Sequence, residues 1–556
     1  MRWPQKSRLW SVLAPATLAA LIGNALVTSW WGLDYGGHWD EWYLFQGLDN
    51  AVKDLSLLPR EYSYGGVYFA IGFLVLAPHL ARLLPSVFNS IIDSPTRPLA
   101  VDLPAIVSAK TQLLQTIHQP EFLLQVRIIF VAIASLTAIW VYQILRRLFP
   151  GNAWSAVAGA GFIACSWENA YHSRFIAPDA ILMQFGALTF LLITEALLER
   201  DKARSAGWLK GAAVAAGLTA GCKVIGIFIL IPVLTAAFIV HRDLRSSFLR
   251  QLVSALVLLF IFCMSFFLTT PGSALDPIRF VGTLMYEARS YNIYTAGFPH
   301  FVADRFEHIW RMSLWLFGYV PSPLLALSIP LSAVTTVGLY ALYYHCRKLF
   351  WCMATFVLPF AIFIASNHLL IVRNWLALIP LTAIAFGVGV FKCYELIHEH
   401  PIRWLAPFCI ATIFGFNTSW LWYSAYTVRY STPKEFAVRL ATYMAAHPEK
   451  EFRLSSKTIN FFRSHNSSAL MCTDDDGTPL PEHAEIVLLA NEHPWVQWLA
   501  NRPNYVDLTI SSLDVNYDYY PTWFGRNVEY RIVALRARNA LKMKVDVRGF
   551  SRCSVN

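Results

Sequence analysis

The feature that most constrains this chain is the recurrence of apolar runs about as long as a bilayer is thick. A helix rising about 1.5 Å per residue needs ~20 apolar residues to cross a hydrocarbon core of roughly 30 Å. Runs that meet or approach that length are read at about 9–31, 127–148, 152–167, 179–198, 207–222, 223–240, 250–270, 324–343, 350–366, 373–391 and 403–423. The stretch 207–240 is too long for one span, and Gly221 and Lys223 mark a turn between two. Only 14% of the 556 residues are charged, against roughly a quarter in soluble domains. Lipid is therefore the expected solvent. The first run follows Arg2, Lys6 and Arg8 and is longer than the apolar part of a signal peptide, so it is read as a retained first helix.

The net charge of +10 does not indicate nucleic acid, because Lys and Arg fall between apolar runs instead of clustering on one soluble face. They do settle an orientation. The run at 64–83 is apolar enough to span but carries Pro78, His79 and Arg82. Treated as interfacial or re-entrant, it leaves Arg146 and Arg147, Arg200 to Lys210, Arg242 to Arg250, Arg347 and Lys348, and Lys392 and Arg403 all on the side of the N-terminus. Counting it as a span reverses every one of these loops, against the tendency of Lys and Arg to stay cytoplasmic. Eleven spans then put residues 428–556 outside, together with 32–126 and 271–313.

The expected fold is thus a polytopic α-helical membrane protein of about 11–13 spans over residues 1–427, followed by a soluble extracytoplasmic α/β domain over 428–556. In that tail KEFAVRLATYMAAH has helical periodicity, while AEIVLLA, VDLTIS and EYRIVALR alternate or run like strands. Seven of the nine cysteines lie in or beside apolar runs as small packing residues; Cys472 and Cys553 lie in the tail, where an oxidising compartment would permit a disulfide.

The polar residues that need a reason lie on the outer side. Residues 32–62 hold six acids, Asp40 and Glu41 among them in Trp39–Tyr43, although acids contribute little to topology. A solvated acidic face is the plain reading. The functional one is a carboxylate held at the headgroup boundary by aromatic rings, and since neighbouring helical residues point about 100° apart, only one of the two acids can face a reacting centre. The second outer loop carries Glu168, His172, Arg174 and Asp179, and Asp179 after Pro178 also suits a helix start. Lys223, Arg373 and, less directly, Arg289 are cations at outer boundaries, where desolvation calls for an anion or a headgroup.

The order of these features, a DE pair after the first helix, then RFIAPD, GLTAGCKVIGIFILIPVL, TTPGSALDPIRF and VRNWLALIP, resembles the GT-C glycosyltransferase superfamily over roughly residues 1–425. In particular it resembles the protein O-mannosyltransferases and the lipid A aminoarabinose transferases. The resemblance implies an enzyme that takes sugar from a polyprenyl-phosphate carrier on the non-cytoplasmic face and delivers it to a lipid, glycan or protein acceptor. It implies Asp40 as the catalytic acid-base residue with Glu41 beside it, Asp179 as a second carboxylate, and Lys223 and Arg373 near the carrier phosphate. Arg174, Arg289 and Tyr64 complete the expected substrate contacts. Where the lipid A enzymes show Lys-Pro-Pro, this chain has Glu61 to Gly66, and Arg60 is the candidate replacement for the lysine. No cofactor is expected; a divalent ion on Asp34, His38, Asp40, His172 and Asp179 is the alternative. A bacterial inner membrane with the tail in the periplasm is the expected location, and the rival function is a transporter or lipid flippase.

Overall fold

A computed structural model describes residues 8–33, 40–92, 103–243, 247–292, 301–397, 399–400, 405–430, 441–449 and 451–455, with short stretches beyond at 470–472, 485–489, 505–507, 510–513, 527–530, 532–536 and 550–555. Contacts divide the chain into two units. One comprises Met1–Trp30, Asp40–Tyr423 and Asp518–Trp523; the other comprises Trp31–Trp39, Ser424–Tyr517 and Phe524–Asn556.

The first unit is helical. In order come α1 (Arg8–Trp30), α2 (Glu41–Lys53), α3 (Gly66–Ile92), α4 (Leu103–Ile117), α5 (Pro120–Leu148), α6 (Ala153–Ala164), α7 (Trp167–Ser173), α8 (Pro178–Leu198) and α9 (Lys202–Cys222). There follow α10 (Leu230–Asp243), α11 (Phe248–Thr269), α12 (Gly272–Leu275), α13 (Pro277–Asn292), α14 (Arg305–Leu314), α15 (Leu325–His345), α16 (Arg347–Ala365), α17 (Ile379–Ile397) and α18 (Leu405–Tyr430). Two of these helices are entered through 3₁₀ segments, Val224–Ile229 before α10 and Val372–Leu378 before α17.

Local chemistry explains the boundaries. Prolines with no N–H to lose open α5 at Pro120 and α8 at Pro178. Side chains cap α6, α7 and α9: Asn152 accepts from the amides of Trp154 and Ser155, Ser166 from Asn169, and Asp201 from Arg204. The core runs through α5, α6, α8, α9, α15 and α17. Between α15 and α17 the backbones approach so closely that a Cβ at Gly338 would meet the carbonyl of Ala385, the small-residue packing used where no hydrophobic drive separates helix from lipid.

Among the described residues nine helices are long and apolar enough to cross a membrane, from Val12–Trp30 to Val372–Ile397, where eleven spans are expected from the sequence. The run at 152–167 is broken, because Ser166 caps α7 and leaves α6 with 12 residues. The runs at 207–222 and 403–423 form α9 and α18 but do not join the nine. The ninth is Gly66–Pro85, in the run expected at the interface. It forms one helix of 27 residues that packs on α2, α4, α5 and α9. Its length comes from Pro78 and Pro85 being accommodated inside the helix.

In the second unit, short strands β1 (Phe452–Ser455), β2 (Leu470–Cys472), β3 (Glu485–Leu489), β4 (Tyr505–Asp507), β5 (Ile510–Leu513), β6 (Asn527–Tyr530), β7 (Ile532–Arg536) and β8 (Phe550–Val555) are described. Six form a sheet in the order β2-β8-β1-β3-β7-β4, in which β1 and β3 are parallel and the other pairs antiparallel. β5 pairs with β6. Of the expected tail helix, 434–440 lies outside the described residues.

Candidate active site

Four stretches far apart in sequence meet at one end of the helical unit, and two glycines make that meeting close. A Cβ at Gly65 would strike the carbonyl of Gly221 at the end of α9, and one at Gly66 the carbonyl of Thr269 at the end of α11. With no side chain in the way, the Gly65 amide donates to the Cys222 carbonyl at 3.0 Å and the Gly66 amide to Thr270 Oγ1 at 3.0 Å. Tyr64 is thereby held beside Lys223.

Asp40 occupies the N-cap position of α2, yet its carboxylate makes no capping bond. It is 0% exposed and turns inward instead. Oδ1 accepts from the Tyr64 hydroxyl at 2.5 Å, the Asp40 carbonyl accepts from the Tyr68 hydroxyl at 3.0 Å, and Oδ2 pairs with Arg373 Nη1. Arg373 Nε lies 3.6 Å from Asp179 Oδ2. Lys223 Nζ donates to Asp179 Oδ1 at 2.9 Å and to Asn374 Oδ1 at 2.7 Å. Because Asn374 follows Arg373, the bonds close on themselves. Two carboxylates and two cations thus share one buried network, the arrangement in which mutual pairing offsets desolvation.

Asp179, Lys223 and Arg373 stand at span boundaries, and Asp40 at the start of the short helix α2. Asp179 is in the first turn of α8, where the helix N-terminus favours a negative charge; the N-cap is Ala177, so the cap expected of Asp179 is not made. Lys223 and Arg373 flank or enter the two 3₁₀ segments. Burial works against the Lys223 ammonium, but Asp179, Tyr291 and Glu287 outweigh it and hold its pKa above the ordinary lysine value.

Glu41 diverges from Asp40, as adjacent residues on a helix must. Its carboxylate takes Arg127 in a two-pronged pair, Nε to Oε1 at 2.8 Å and Nη2 to Oε2 at 2.6 Å, and Oε1 also accepts from the Ile176 amide at 3.3 Å. Arg127 on α5, fully buried, is a residue that sequence reasoning missed, although a lone arginine inside LLQVRIIF signals a partner. Arg174, also buried, donates to the Thr28 carbonyl of α1 at 2.5 Å. Glu168 and His172 face each other at 3.2 Å on α7.

Two of the expected residues stand apart from the network. Arg289 is exposed on α13 and, among the described residues, no ion pair joins it to the cluster; it stands two residues past Glu287, on roughly the opposite side of the helix. Arg60, in left-handed backbone with φ 51°, pairs at 3.0 Å with the nearby Asp54, an exposed contact that leaves it no part in the network. Asp34 and His38 lie outside the described residues, and among those described no three His, Cys, Asp or Glu side chains gather at metal-holding distance.

A cavity of about 470 Å³ adjoins the network, lined among others by Tyr43, Glu61, Ser63, Arg279, Thr283 and Glu287. Tyr43 joins cavity to network, its ring 5.2 Å from that of Tyr64. Desolvation raises the Glu287 pKa above the ordinary carboxylate value, against the opposing hydrogen bond with Ser63 and the charge of Lys223. Tyr43 is raised to about 12, first by desolvation and then by Glu287 and Glu61.

Residues 105–269 match the family described as dolichyl-phosphate-mannose-protein mannosyltransferase, a segment that holds Arg127, Asp179 and Lys223. A comparison with curated proteins finds no match. Among solved structures the chain is similar to ArnT from Cupriavidus metallidurans bound to undecaprenyl phosphate, with 11% identity, TM-score 0.48, and 94% of this chain and 98% of that one covered. For the same protein in the apo state the values are 12%, 0.49, 95% and 99%. For the oligosaccharyltransferase of Archaeoglobus fulgidus in the apo form they are 12%, 0.43, 77% and 58%. It is through residues 105–269 that this helical membrane protein is similar to the dolichyl-phosphate-mannose-protein mannosyltransferases, glycosyltransferases of the GT-C kind that its order of motifs resembles.

Proposed function

We propose that the chain is a glycosyltransferase that moves a sugar from a polyprenyl-phosphate donor to an acceptor hydroxyl at the membrane face bearing the Asp40 network. One observation carries the reading: buried Asp40, Asp179 and Arg373 converge with half-buried Lys223 beside an open cavity in a body of membrane-spanning helices. The family match over 105–269 supports the same chemistry.

In the reaction the acceptor oxygen attacks the anomeric carbon while the bond from that carbon to the phosphate oxygen breaks. Asp40 takes the hydroxyl proton as general base. The departing polyprenyl phosphate is already a stable anion and needs positive charge more than a proton, which Arg373 and Lys223 supply. Arg373 pairs with Asp40 at rest, so its transfer to phosphate is the event that leaves the carboxylate able to accept a proton. Single displacement inverts the anomeric centre. Glu41 and Arg174 are positioning residues, the first binding α2 to α5 and to the segment before Asp179, the second binding α7 to α1.

The rival transporter reading expects ionisable groups near mid-membrane, whereas Asp179, Lys223 and Arg373 stand at span ends. The extracytoplasmic face, the bacterial inner membrane and a periplasmic α/β domain over 428–556 belong to the same proposal; the sidedness rests on loop charge with the helix over 66–85 lying along the interface. The acceptor is a lipid, glycan or protein hydroxyl. The experiment is transfer by full-length protein in nanodiscs from labelled polyprenyl-phosphate sugar. Wild type should release polyprenyl phosphate, and Asp40→Asn should slow release by about 10²–10⁴-fold. Near-normal turnover in the variant removes Asp40 from this role, and movement of donor across the bilayer without release supports the flippase.

A further inference from the structure

The helix that lines one wall of the cavity has a second face. At about 100° per residue, Arg279, Thr283, Tyr286 and Glu287 of α13 form one stripe, and it lines the cavity. Phe280 and Tyr291 turn toward the protein: the Phe280 ring meets Tyr62 at 5.7 Å and Phe266 of α11 at 6.4 Å, and the Tyr291 carbonyl accepts from the Leu369 amide. What remains is a sector about 80° wide holding Ile278, Val281, Met285 and Arg289, with Asn292 in the last turn. Ile278 is 88% exposed, Val281 51% and Met285 53%, and Arg289 is exposed as well. Bare aliphatic side chains in such a row mark an interaction surface.

What covers it follows from continuity. The exposed apolar face of α11 includes Leu256, Phe260 and Leu268, and α11 is a candidate membrane span ending at Thr269. Leu275, in α12, is 71% exposed and leads directly into Ile278. The lipid-facing surface of a span therefore leads through Leu275 toward the stripe of α13, with Ser273 and Asp276 half-buried between them, and the start of α13 is clamped to the end of α11 by Phe266 and Phe280. The stripe ends at Arg289, one turn past Met285, where a long cationic side chain reaches headgroups while its stem stays in the apolar layer.

We propose that Ile278, Val281 and Met285 are seated in the leaflet on the side of the site, with Arg289 among its headgroups. α13 is then the partition between that leaflet and the cavity. This deepens the donor reading and rests on it for one consequence only: a lipid-linked substrate keeps its tail in the bilayer and brings its polar end past Arg279 and Thr283 without leaving the membrane. Arg289, singled out in the sequence as a cation needing an anion, finds it in the lipid phosphates.

The test needs no turnover, so its outcome is separate from that of the transfer assay. Ile278, Met285 and, as the cavity-facing control, Thr283 are replaced one at a time by the photo-crosslinker benzoylphenylalanine in full-length protein held in nanodiscs containing phosphatidylglycerol. Illumination should give phospholipid adducts by mass spectrometry from the positions of Ile278 and Met285, and few from that of Thr283. Adducts at Met285 should be enriched in phosphatidylglycerol by about two-fold over its share of the bilayer, and Arg289→Gln should abolish the enrichment. Equal yields at all three positions, adducts to a second copy of the chain in place of lipid, or enrichment indifferent to Arg289 would each overturn the proposal.

Discussion

At the scale of the residue, the network balances charge by sharing it. Arg373 serves both Asp40 and Asp179, and Lys223 serves Asp179 and Asn374, so removing one member strands another. Lys223 is 14% exposed at its side chain, and Lys223→Met should cost about 3 kcal/mol of stability. Its pKa is raised on folding, so its contribution is whole below the ordinary lysine value of 10.5 and fades as pH rises through the folded value. Thermal unfolding across pH should therefore show a gap between wild type and variant that stays constant up to about pH 10 and narrows above it; a gap that closes near neutrality contradicts the assignment. The pair of Glu41 and Arg127 behaves differently, because its two-pronged bond joins one carboxylate to one guanidinium and lets both be replaced together. Glu41→Gln should destabilise by about 3–5 kcal/mol, while Glu41→Met combined with Arg127→Met should recover most of the loss, as read by unfolding in detergent. Asp179, Lys223 and Arg373 were visible in the sequence because charge at the end of an apolar run demands a partner, and Asp40 because it stands in an acidic cluster among aromatic residues. Asn374 was not, since an uncharged amide beside an arginine carries no such demand.

Elements add what single residues cannot: they decide which chain ends meet. The Gly65–Gly66 pair lets the segment after α2 lie against the ends of α9 and α11, and through Tyr64 this fixes one oxygen of Asp40. Gly66→Ala, whose Cβ would overlap the Thr269 carbonyl, should lower stability by about 1–3 kcal/mol and loosen the Asp40 contact. Transfer by Gly66→Ala should fall more than transfer by Gly47→Ala, whose Cβ meets only the ring of Phe69; equal losses would mean that the close approach does not position the site. The same scale exposes where hydropathy misleads. A count of apolar residues runs straight through Ser166, whose hydroxyl caps the start of α7 just after α6 has ended at Ala164. It also has no means of deciding whether a run such as 66–85, which packs against α2 and α4, crosses the bilayer or lies along it. Turn and cap chemistry, not apolarity, sets those boundaries.

For the whole molecule, the helical body and the gathering of its polar residues at one end were legible from run length and loop charge. The tail was legible only as strand-like segments. Its described strands do add a prediction about sidedness, because Cys472 of β2 stands directly opposite Cys553 of β8 in the antiparallel register. Facing residues of such a pair lie within the Cα separation that a disulfide requires. If this unit is extracytoplasmic, both cysteines should resist alkylation in native membranes until a reductant is added; free reactivity of the two would place the unit on a reducing side and reverse the topology. The central claim is that an anionic lipid carrier is held by the cations of the Asp40 network. Its most direct test is a density map of the full chain in nanodiscs with polyprenyl phosphate bound. The account predicts the phosphate within hydrogen-bond reach of Arg373 or Lys223, with Arg373 drawn off Asp40 and the prenyl tail leaving beside α13. A phosphate bound elsewhere, with Arg373 still paired to Asp40, would contradict it.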